Sequence, residues 1–229
     1  MTGTKKTLLF FSSFFLTILF MSIVSYTLYP FINNISNYIL SNVLIPILYT
    51  IYFIVFLFIQ GIIRYLMTKK YFKNNAILIK SKTEDFILKE KLLIYLIIFL
   101  IYFMPLITKL SLEPLNLPRI ILFIISILVI EILIRISNKS IYGYFTRDYI
   151  IISGLDLRIS LPIVYGSHIH NDSTIYSYND IENYFIFKDV IELYLIGDQG
   201  KLVLNIDTES SRQFVGLLKQ KKIPMKKFR

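Results

Sequence analysis

The chain has 229 residues, of which 55% are hydrophobic, and it carries a formal net charge of +10 at pH 7. It contains neither cysteine nor tryptophan, which excludes disulfide bonds, thiolate metal sites and a cysteine nucleophile. Soluble domains average about 45–50% apolar residues. Here the excess lies in long uncharged runs within residues 1–137, a pattern typical of membrane spans.

The first apolar run covers residues 8–29 and contains no charged residue. At about 1.5 Å per residue, a helix of this length crosses a bilayer core of about 30 Å. Lys5 and Lys6 precede the run as they would in a signal peptide. However, the run exceeds the usual apolar region of about 7–15 residues, and no small-residue cleavage site follows it. We therefore predict an uncleaved first span.

Three further spans are predicted over residues 43–63, 92–108 and 120–134. The last two are shorter than the roughly 20 residues that a span needs. Arg119 and Arg135 flank the fourth span and can extend their side chains to the headgroups, which lengthens its reach. A hairpin that enters and leaves on one face is the alternative for these two segments, although it requires cover by other protein.

Basic residues are distributed unevenly around the four predicted spans. Two lysines precede the first span, and eight lysines and arginines lie between the second and the third. The connector over residues 30–42 carries no charge, and the connector between the third and fourth spans is basic only at its edges. Because short basic loops stay in the cytoplasm, we predict four crossings with both termini in the cytoplasm.

The fourth span carries Glu131 near its cytoplasmic end, and Arg135 follows four residues later on the same helix face. A carboxylate inside a span is by default a candidate proton or cation site. Gln60, near the cytoplasmic end of the second span, is a candidate partner across the helices. We favour the simpler interpretation, an interfacial ion pair between Glu131 and Arg135.

From residue 141 the apolar period changes to two, which indicates β-strands. Short strands are predicted at 141–146, 149–153, 161–166, 173–178, 184–187, 190–196 and 201–206. An amphipathic helix is predicted over 207–222. We therefore predict a sheet domain over 140–222 and a basic tail over 223–229.

The segments "IYSYNDIENYFIF" and "VIELYLIGDQGKLVLNI", followed by a helix that ends "FVGLLKQKK", resemble pleckstrin-homology-like (PH-like) domains of bacterial membrane proteins. The resemblance covers about residues 140–222, under half of the chain. It implies an antiparallel β-sandwich or barrel capped by one helix, and a location in a bacterial cell membrane. Some members of this family are immunity proteins against membrane-active peptide bacteriocins, so the resemblance also implies such a role.

Two short polar motifs in the predicted sheet domain suggest chemistry. His168, His170 and Asp172 alternate as residues on one face of a strand do, and such a set can converge on a metal. The chain has only these two histidines, so we expect a polar loop, no metal and no cofactor. "GDQGK" joins two predicted strands without the helix that follows a phosphate-binding loop, so we predict a hairpin turn.

Several basic residues are predicted to contact anionic lipid headgroups or a partner: Lys69, Lys70, Lys73, Lys221, Lys222, Lys226, Lys227 and Arg229. Each such residue near an anionic leaflet contributes about 1 kcal/mol of attraction. Because the charge flanks the apolar runs, we expect the membrane rather than nucleic acid as its partner. A peptide, a protein or a second copy of the chain remain open as further partners.

Together these patterns predict an α-helical membrane protein with four transmembrane helices and a C-terminal α+β PH-like domain. The expected function is a non-enzymatic binding or scaffold role, with self-protection against a membrane-active peptide bacteriocin as the resemblance implies. One alternative is a transport or channel subunit with a polar site at Glu131 and Gln60. Another is a membrane enzyme that uses Glu131 or His168 at the cytoplasmic face.

Overall fold

A computed structural model describes residues 3–32, 35–72, 75–109, 115–159 and 169–226 of the chain. Within these ranges, long helices occupy most of the N-terminal part and an eight-stranded sheet dominates the C-terminal part. The predicted order of a helical region followed by a mainly antiparallel sheet is therefore confirmed.

The helices are α1 (Gly3–Ile32), α2 (Asn37–Ile39), α3 (Ile45–Phe72), α4 (Leu88–Lys109), α5 (Leu117–Ser140) and α6 (Thr208–Gln220). A π-helical turn over Leu40–Leu44 joins α2 to α3, so much of the connector predicted after the first span is helical. Three stretches within the described residues are long and apolar enough to cross a membrane, namely residues 6–32, 37–72 and 117–140. These three contain the first, second and fourth predicted spans.

The outer faces of these helices are apolar and exposed, as shown by Phe15 at 66% and Leu128 at 59% exposure. Water-soluble proteins rarely expose large contiguous apolar surfaces. On the exposed side of α1, the hydroxyls of Ser22 and Thr27 donate to carbonyl oxygens of the same helix, at 2.9 and 2.8 Å. Both features suit a surface in contact with lipid, where no water is present to take hydrogen bonds.

The strands are β1 (Ile77–Thr83), β2 (Tyr142–Thr146), β3 (Tyr149–Ser153), β4 (Ile169–His170), β5 (Ile175–Ser177), β6 (Ile181–Phe187), β7 (Val190–Leu195) and β8 (Gly200–Asn205). Seven of them pair antiparallel in the order β5-β3-β2-β1-β8-β7-β6, and β4 pairs with β8 in parallel. The predicted hairpin formed by β2 and β3 is confirmed, as are the strands β5 to β8. The strand predicted at 161–166 lies outside the described residues.

The sheet is strongly curved. β5 and β6 lie at opposite edges of the strand order, yet only Tyr178–Asp180 connect them. Seven flat strands about 4.8 Å apart would separate these edges by about 29 Å. The four Cα steps from the end of β5 to the start of β6 reach at most about 15 Å, so the edges approach each other and the sheet is barrel-like.

Strand β1 lies inside the sheet although it precedes α4 and α5 in the chain. It pairs with β2 on one side and with β8 on the other. Ile79, Ser81 and Thr83 are buried whereas Lys80 between them is exposed. The sheet boundary predicted at residue 140 leaves this strand out, because its lysines gave the segment the composition of a basic loop. The pair α4 and α5 is consequently inserted between two neighbouring strands.

Helix α6 covers the sheet and confirms the predicted amphipathic helix. Phe214, Leu217 and Leu218 on its inner face are buried. The ring of Phe214 packs edge-on against that of Phe145 on β2, with 4.5 Å between the centroids. Lys222 follows the helix with a φ of 58°, a left-handed residue of the kind that ends many helices.

Candidate functional site

The ends of four helices meet the sheet domain in one region, which we call the junction. The contacts are Lys6–Asp172 (2.6 Å), Arg64–Asp156 (3.2 Å), Glu90–Arg158 (3.4 Å) and Ser137–Leu155 (2.7 Å). They involve the start of α1, the later part of α3, the start of α4 and the end of α5. Along the chain, these helices therefore run alternately away from the sheet and towards it.

Four charged residues form a compact group in the junction, which we call the junction cluster: Arg64, Glu90, Asp156 and Arg158. The side chains of Arg64, Asp156 and Arg158 are only 1–5% exposed. Nε of Arg158 lies 3.4 Å from Oε2 of Glu90 and 3.9 Å from Oδ1 of Asp156. Two formal positive and two formal negative charges thus lie close together, and three of them are on almost fully buried side chains.

Hydrogen bonds to the backbone hold the junction cluster in place. The Arg64 guanidinium donates to the carbonyl oxygens of Asp156 (3.1 Å) and Arg158 (2.5 Å), and to the side-chain oxygen of Gln60 (3.3 Å). The Asp156 carboxylate accepts from the N–H groups of Arg158 (3.1 Å) and Ser173 (3.2 Å). Such bonds are required because buried charges cost several kcal/mol each unless they are paired and hydrogen-bonded.

Mutual attraction keeps the central pair ionised. Burial by itself raises the pKa of Asp156, but the guanidinium groups of Arg64 and Arg158 outweigh burial and hold this pKa below its usual range. Burial lowers the pKa of Arg158, and the carboxylates of Asp156 and Glu90 more than compensate, so this pKa is raised. Asp156 and Arg158 therefore carry full charges at neutral pH.

Glu90, at the start of α4 and outside its predicted span, behaves differently. Its side chain is 21% exposed, and Oε2 accepts a hydrogen bond from the N–H of Ile87 at 3.0 Å. Burial raises the pKa of Glu90 to about 7, and the opposing effects of Arg158 and the Ile87 hydrogen bond offset this only in part. Glu90 is thus the member of the cluster that changes charge near neutral pH.

We expect Glu90 to make the stability of the protein depend on pH. A carboxyl group with a pKa of about 7 when folded and 4.5 when unfolded stabilises the fold fully below pH 4.5, and this contribution is lost as the pH rises through 7. Replacing Glu90 by glutamine removes the effect. As the pH rises from about 5 to 8, the wild type should therefore lose about 2–3 kcal/mol of stability relative to Glu90→Gln. Melting temperatures of the two proteins across this pH range measure the loss.

The comparison between wild type and Glu90→Gln distinguishes the effect of Glu90 on stability from that of His170, because His170 is present in both proteins. Burial and the nearby Arg158 lower the pKa of His170, against the attraction of Glu84. Its effect on stability has the opposite sign, since protonation of His170 at low pH destabilises the fold. A difference between wild type and Glu90→Gln that does not change with pH contradicts the assignment to Glu90.

Asn171 completes the sheet beside the junction. It is fully buried, with a φ of 53°. Its side-chain amide donates to the carbonyl oxygen of Val203 (3.0 Å) and accepts from the N–H of Val203 (2.7 Å), as a neighbouring strand would. The guanidinium of Arg158 in turn donates to the carbonyl oxygen of Asn171 at 2.5 Å. The junction cluster is thereby connected to β8.

Replacing Asn171 by alanine should lower the free energy of unfolding by about 1–3 kcal/mol, because the buried N–H of Val203 loses its acceptor. The carbonyl oxygen of Val203 keeps its hydrogen bond from the N–H of Glu84 at 3.0 Å. Asn179→Ala is the matched control, since Asn179 is exposed, and it should change stability by less than about 0.5 kcal/mol. Melting temperatures in detergent compare the two variants. Equal melting temperatures would contradict the role assigned to the Asn171 amide.

The polar motifs of the sheet domain make contacts within the protein. Nε2 of His170 lies 3.2 Å from Oε2 of Glu84, whereas Asp172 pairs with Lys6. His168 lies outside the described residues. Among the residues described, no group of three histidines or carboxylates is placed to hold a metal ion. "GDQGK" forms the predicted turn between β7 and β8, with Gly197 at a φ of 68°.

Glu131 is paired in the way that we favoured, and with more partners. Oε1 of Glu131 lies 3.5 Å from Nε of Arg135 and 3.7 Å from Nζ of Lys91, while Oε2 accepts a hydrogen bond from Tyr95 at 2.5 Å. Lys91 and Tyr95 belong to α4. The spacing of residues within α5 could not predict these contacts from another helix. The side-chain oxygen of Gln60 accepts a hydrogen bond from Arg64 at 3.3 Å. Gln60 therefore lies beside the junction cluster, whereas Glu131 pairs with Arg135 and Lys91.

Four of the predicted headgroup-contacting lysines lie over tyrosine rings. The pairs and their distances to the ring centroid are Lys69–Tyr65 (6.0 Å), Lys70–Tyr71 (5.2 Å), Lys221–Tyr178 (5.1 Å) and Lys226–Tyr194 (3.8 Å). Lys222 follows α6. Lys73, Lys227 and Arg229 lie outside the described residues.

Comparison with known proteins adds no family to this picture. No protein-family model matches the chain, and no curated protein matches it. The fold and the junction define its class: membrane-length apolar helices fixed to a curved sheet through a buried charge cluster.

Proposed function

We propose that this chain is a non-enzymatic, multi-pass membrane protein whose sheet domain is a binding and scaffold module at the cytoplasmic surface. The junction carries this proposal. Four helices contact the sheet domain there, and two chain connections lie beside it, namely β1 to α4 and α5 to β2. A domain held in this way moves together with its helices rather than as a tethered module.

The alternating direction of the helices supports four crossings. α4 starts at the sheet, and its 22 residues reach about 33 Å at 1.5 Å per residue, enough for the bilayer core. At the opposite end of the helices, Arg119 donates to the carbonyl oxygen of Ser41 at 2.6 Å, which joins the start of α5 to the turn before α3. Together with the basic loops, this arrangement supports cytoplasmic termini.

A curved, mainly antiparallel sheet covered by one C-terminal amphipathic helix supports the PH-like assignment. Strand β1, which precedes α4 and α5, is an addition to the arrangement that the resemblance implies for residues 140–222. On that basis we further propose that the protein takes part in self-protection of a bacterial cell against a membrane-active peptide. Anionic lipid headgroups are its proposed surface partners. A peptide, another protein or a second copy are its proposed specific partners, and nucleic acid is not.

Survival of a naive Gram-positive host tests this proposal. Cells that express the full chain are challenged with a panel of cationic pore-forming peptides, and killing curves are recorded. We expect protection by the wild type and by Asp148→Ala, whose side chain is exposed. Asp156→Ala, compared at equal amounts in the membrane, should protect less because the junction is broken. If the wild type is abundant in the membrane and protects against no peptide, self-protection is refuted.

A truncation after Lys139 is less informative than these point variants. It removes β2 to β8 and leaves β1 without either neighbouring strand. It also removes Asp156 and Arg158, which exposes the charges of Arg64 and Glu90 at the helix ends. Loss of protection by such a truncation would report a damaged helical region as readily as a missing sheet domain.

A further inference from the structure

A narrow apolar groove of about 250 Å³ runs between α3 and α5. Two helix faces with the same spacing form its walls, and one residue of α4 lies between them. Ile51 and Ile125 on the two walls are 43% and 49% exposed, so the groove is open at the surface of the helices. The lining residues are Ile47, Thr50, Ile51 and Ile54 of α3, Tyr102 of α4, and Leu122, Ile125, Ser126 and Val129 of α5.

The hydroxyl groups of the groove already have partners within the protein. Those of Tyr102 and Ser126 are hydrogen-bonded to each other at 2.8 Å, and that of Thr50 donates to the carbonyl oxygen of Pro46 at 2.9 Å. All three side chains are buried. The lining therefore suits a hydrocarbon occupant, because a peptide backbone or a sugar would leave its own polar groups unpaired there.

The groove has the width of a single hydrocarbon chain. From Ile47 to Ile54 and from Leu122 to Val129, each wall rises about 10 Å. The volume spread over this length gives a mean cross-section of about 25 Å². A helix about 10–12 Å in diameter needs about 80–110 Å², whereas a hydrocarbon chain, whose neighbours approach to about 4 Å, needs about 15–20 Å². An acyl chain fits this space and a partner helix does not.

Arg119 lies one helical turn before Leu122, at the end of the groove that is remote from the sheet. Its side chain turns towards the segment before α3, where Nη2 donates to the carbonyl oxygen of Ser41 at 2.6 Å, and the residue is only 6% exposed. The Tyr102 hydroxyl is close enough to interact with it electrostatically. Its Nε makes no hydrogen bond, and no carboxylate among the described residues pairs with it. A cation buried in this way requires an anionic partner.

The positions of Arg119 and the groove match one leaflet of a bilayer. From Arg119 to Val129, α5 rises about 15 Å, which is half of the hydrocarbon core of about 30 Å. The groove therefore occupies the half of the core that is remote from the sheet, and Arg119 lies at the edge of that half. In the topology that we propose, this is the outer leaflet.

We propose that the groove and Arg119 together bind one anionic glycerophospholipid of the outer leaflet. One acyl chain lies in the groove, and the phosphodiester accepts hydrogen bonds from the Arg119 guanidinium and balances its charge. This inference rests on the proposed membrane topology of the chain. It differs from the attraction of surface lysines to the inner leaflet, because it uses a buried cation on the opposite side of the membrane and an apolar groove beside it.

Native mass spectrometry of the purified full chain tests the charged end of the site, with dioleoyl phosphatidylglycerol as the probe. Arg119→Gln should weaken retention of one lipid about tenfold, as expected for the loss of a charge-assisted hydrogen bond. Arg119→Lys keeps the charge and should be intermediate. Arg147→Gln is the matched control, because Arg147 is exposed in the turn between β2 and β3, and it should leave retention unchanged.

Two neighbouring isoleucines test the apolar part of the site. Ile125 lines the groove, whereas Ile124 is similarly exposed, at 52%, and does not line it. Ile125→Trp should fill the groove and weaken retention, and Ile124→Trp should leave it unchanged. Melting temperatures in detergent show whether the variants are folded. Added phosphatidylglycerol should raise the melting temperature of the wild type and of Ile124→Trp, but not that of Arg119→Gln or Ile125→Trp.

Other outcomes overturn the inference. Equal losses for Arg119→Gln and Arg147→Gln would indicate an effect of net charge, and equal effects of the two tryptophans would show that the groove is not used. Equal retention of dioleoylglycerol, which lacks phosphate, would exclude recognition by Arg119. Displacement of the lipid by equimolar glycerol 3-phosphate would identify a soluble anion as the ligand. A dimer that Ile125→Trp dissociates, with lipid retention unchanged, would identify a second copy as the occupant.

Carbonate extraction of cell membranes separates failure of this inference from failure of the proposed function. A wild-type chain that is extracted from the membrane refutes the proposed membrane function itself. A wild-type chain that stays in the membrane but retains no phosphatidylglycerol refutes the lipid site alone.

Discussion

Replacing Asp156 by alanine should lower the free energy of unfolding by about 3–5 kcal/mol, the usual cost of removing one partner from a buried ion pair. Arg64 and Arg158 would remain buried with the single carboxylate of Glu90 to balance two guanidinium groups. The N–H groups of Arg158 and Ser173 would also lose their acceptor. The melting temperature of the detergent-solubilised chain, followed by circular dichroism, measures the loss.

Two control variants separate charge from other effects at this position. Asp148→Ala removes an exposed carboxylate from the turn between β2 and β3, and it should change stability by less than about 0.5 kcal/mol. Asp156→Asn keeps the shape and an acceptor oxygen but removes the charge, so it should be intermediate. A melting temperature of Asp156→Ala equal to that of Asp148→Ala would show that the cluster does not hold the junction together.

The second large effect is expected for Gly154→Ala, which should destabilise the protein by at least about 4 kcal/mol. Gly154 directly follows β3 and has a φ of +155°, a conformation that other residues rarely adopt. A methyl group there would overlap the carbonyl oxygen of Ser140 and would lie 2.7 Å from Cα of Ile141. Both atoms belong to the backbone where α5 leads into β2, so they cannot move aside without displacing the helix.

Gly216→Ala should change the stability of the same domain in the opposite direction. Gly216 is exposed on α6, and a methyl group there meets no atom within 4 Å. Alanine at this position should stabilise the helix by about 0.5–1 kcal/mol. Melting temperatures of the two variants should therefore move in opposite directions. A Gly154→Ala variant as stable as the wild type would contradict the close contact between α5 and the end of β3.

Gly154 and Asp156 both contribute to the attachment of the sheet to the helix ends. The hydroxyls of Ser137 and Ser140 on α5 both contact the backbone of Leu155, next to Gly154. One residue further, Asp156 contacts Arg64 of α3. A short segment after β3 therefore connects two helices to the sheet.

The local pattern of the sequence was sufficient to predict much of the fold. Uncharged runs predicted the long helices, and alternation from residue 141 predicted the hairpin and later strands. The amphipathic stripe of Phe214, Leu217 and Leu218 predicted the helix that covers the sheet. Each of these features depends on the chemistry of neighbouring residues, which a single sequence displays directly.

The junction could not be predicted, because it depends on contacts between distant segments. Asp156 and Arg158 alternate with leucines in "GLDLRIS", a pattern that indicates an exposed polar face when no partner is known. Their partners Arg64 and Glu90 lie far away in the sequence, among basic residues that look like a cytoplasmic loop. β1 could not be predicted for the same reason, since its pairing strands β2 and β8 begin about 65 and 120 residues after β1 begins.

Labelling of single cysteines tests the central claim, a four-span protein with its sheet on the cytoplasmic side, most directly. The chain has no cysteine of its own, so Tyr38→Cys, Leu115→Cys and Asp148→Cys each introduce one site, and all three positions are exposed. With a membrane-impermeant maleimide on intact cells, we predict labelling at positions 38 and 115, and labelling at 148 only after permeabilisation. Protection of position 115 in intact cells, or labelling of position 148, would contradict the account.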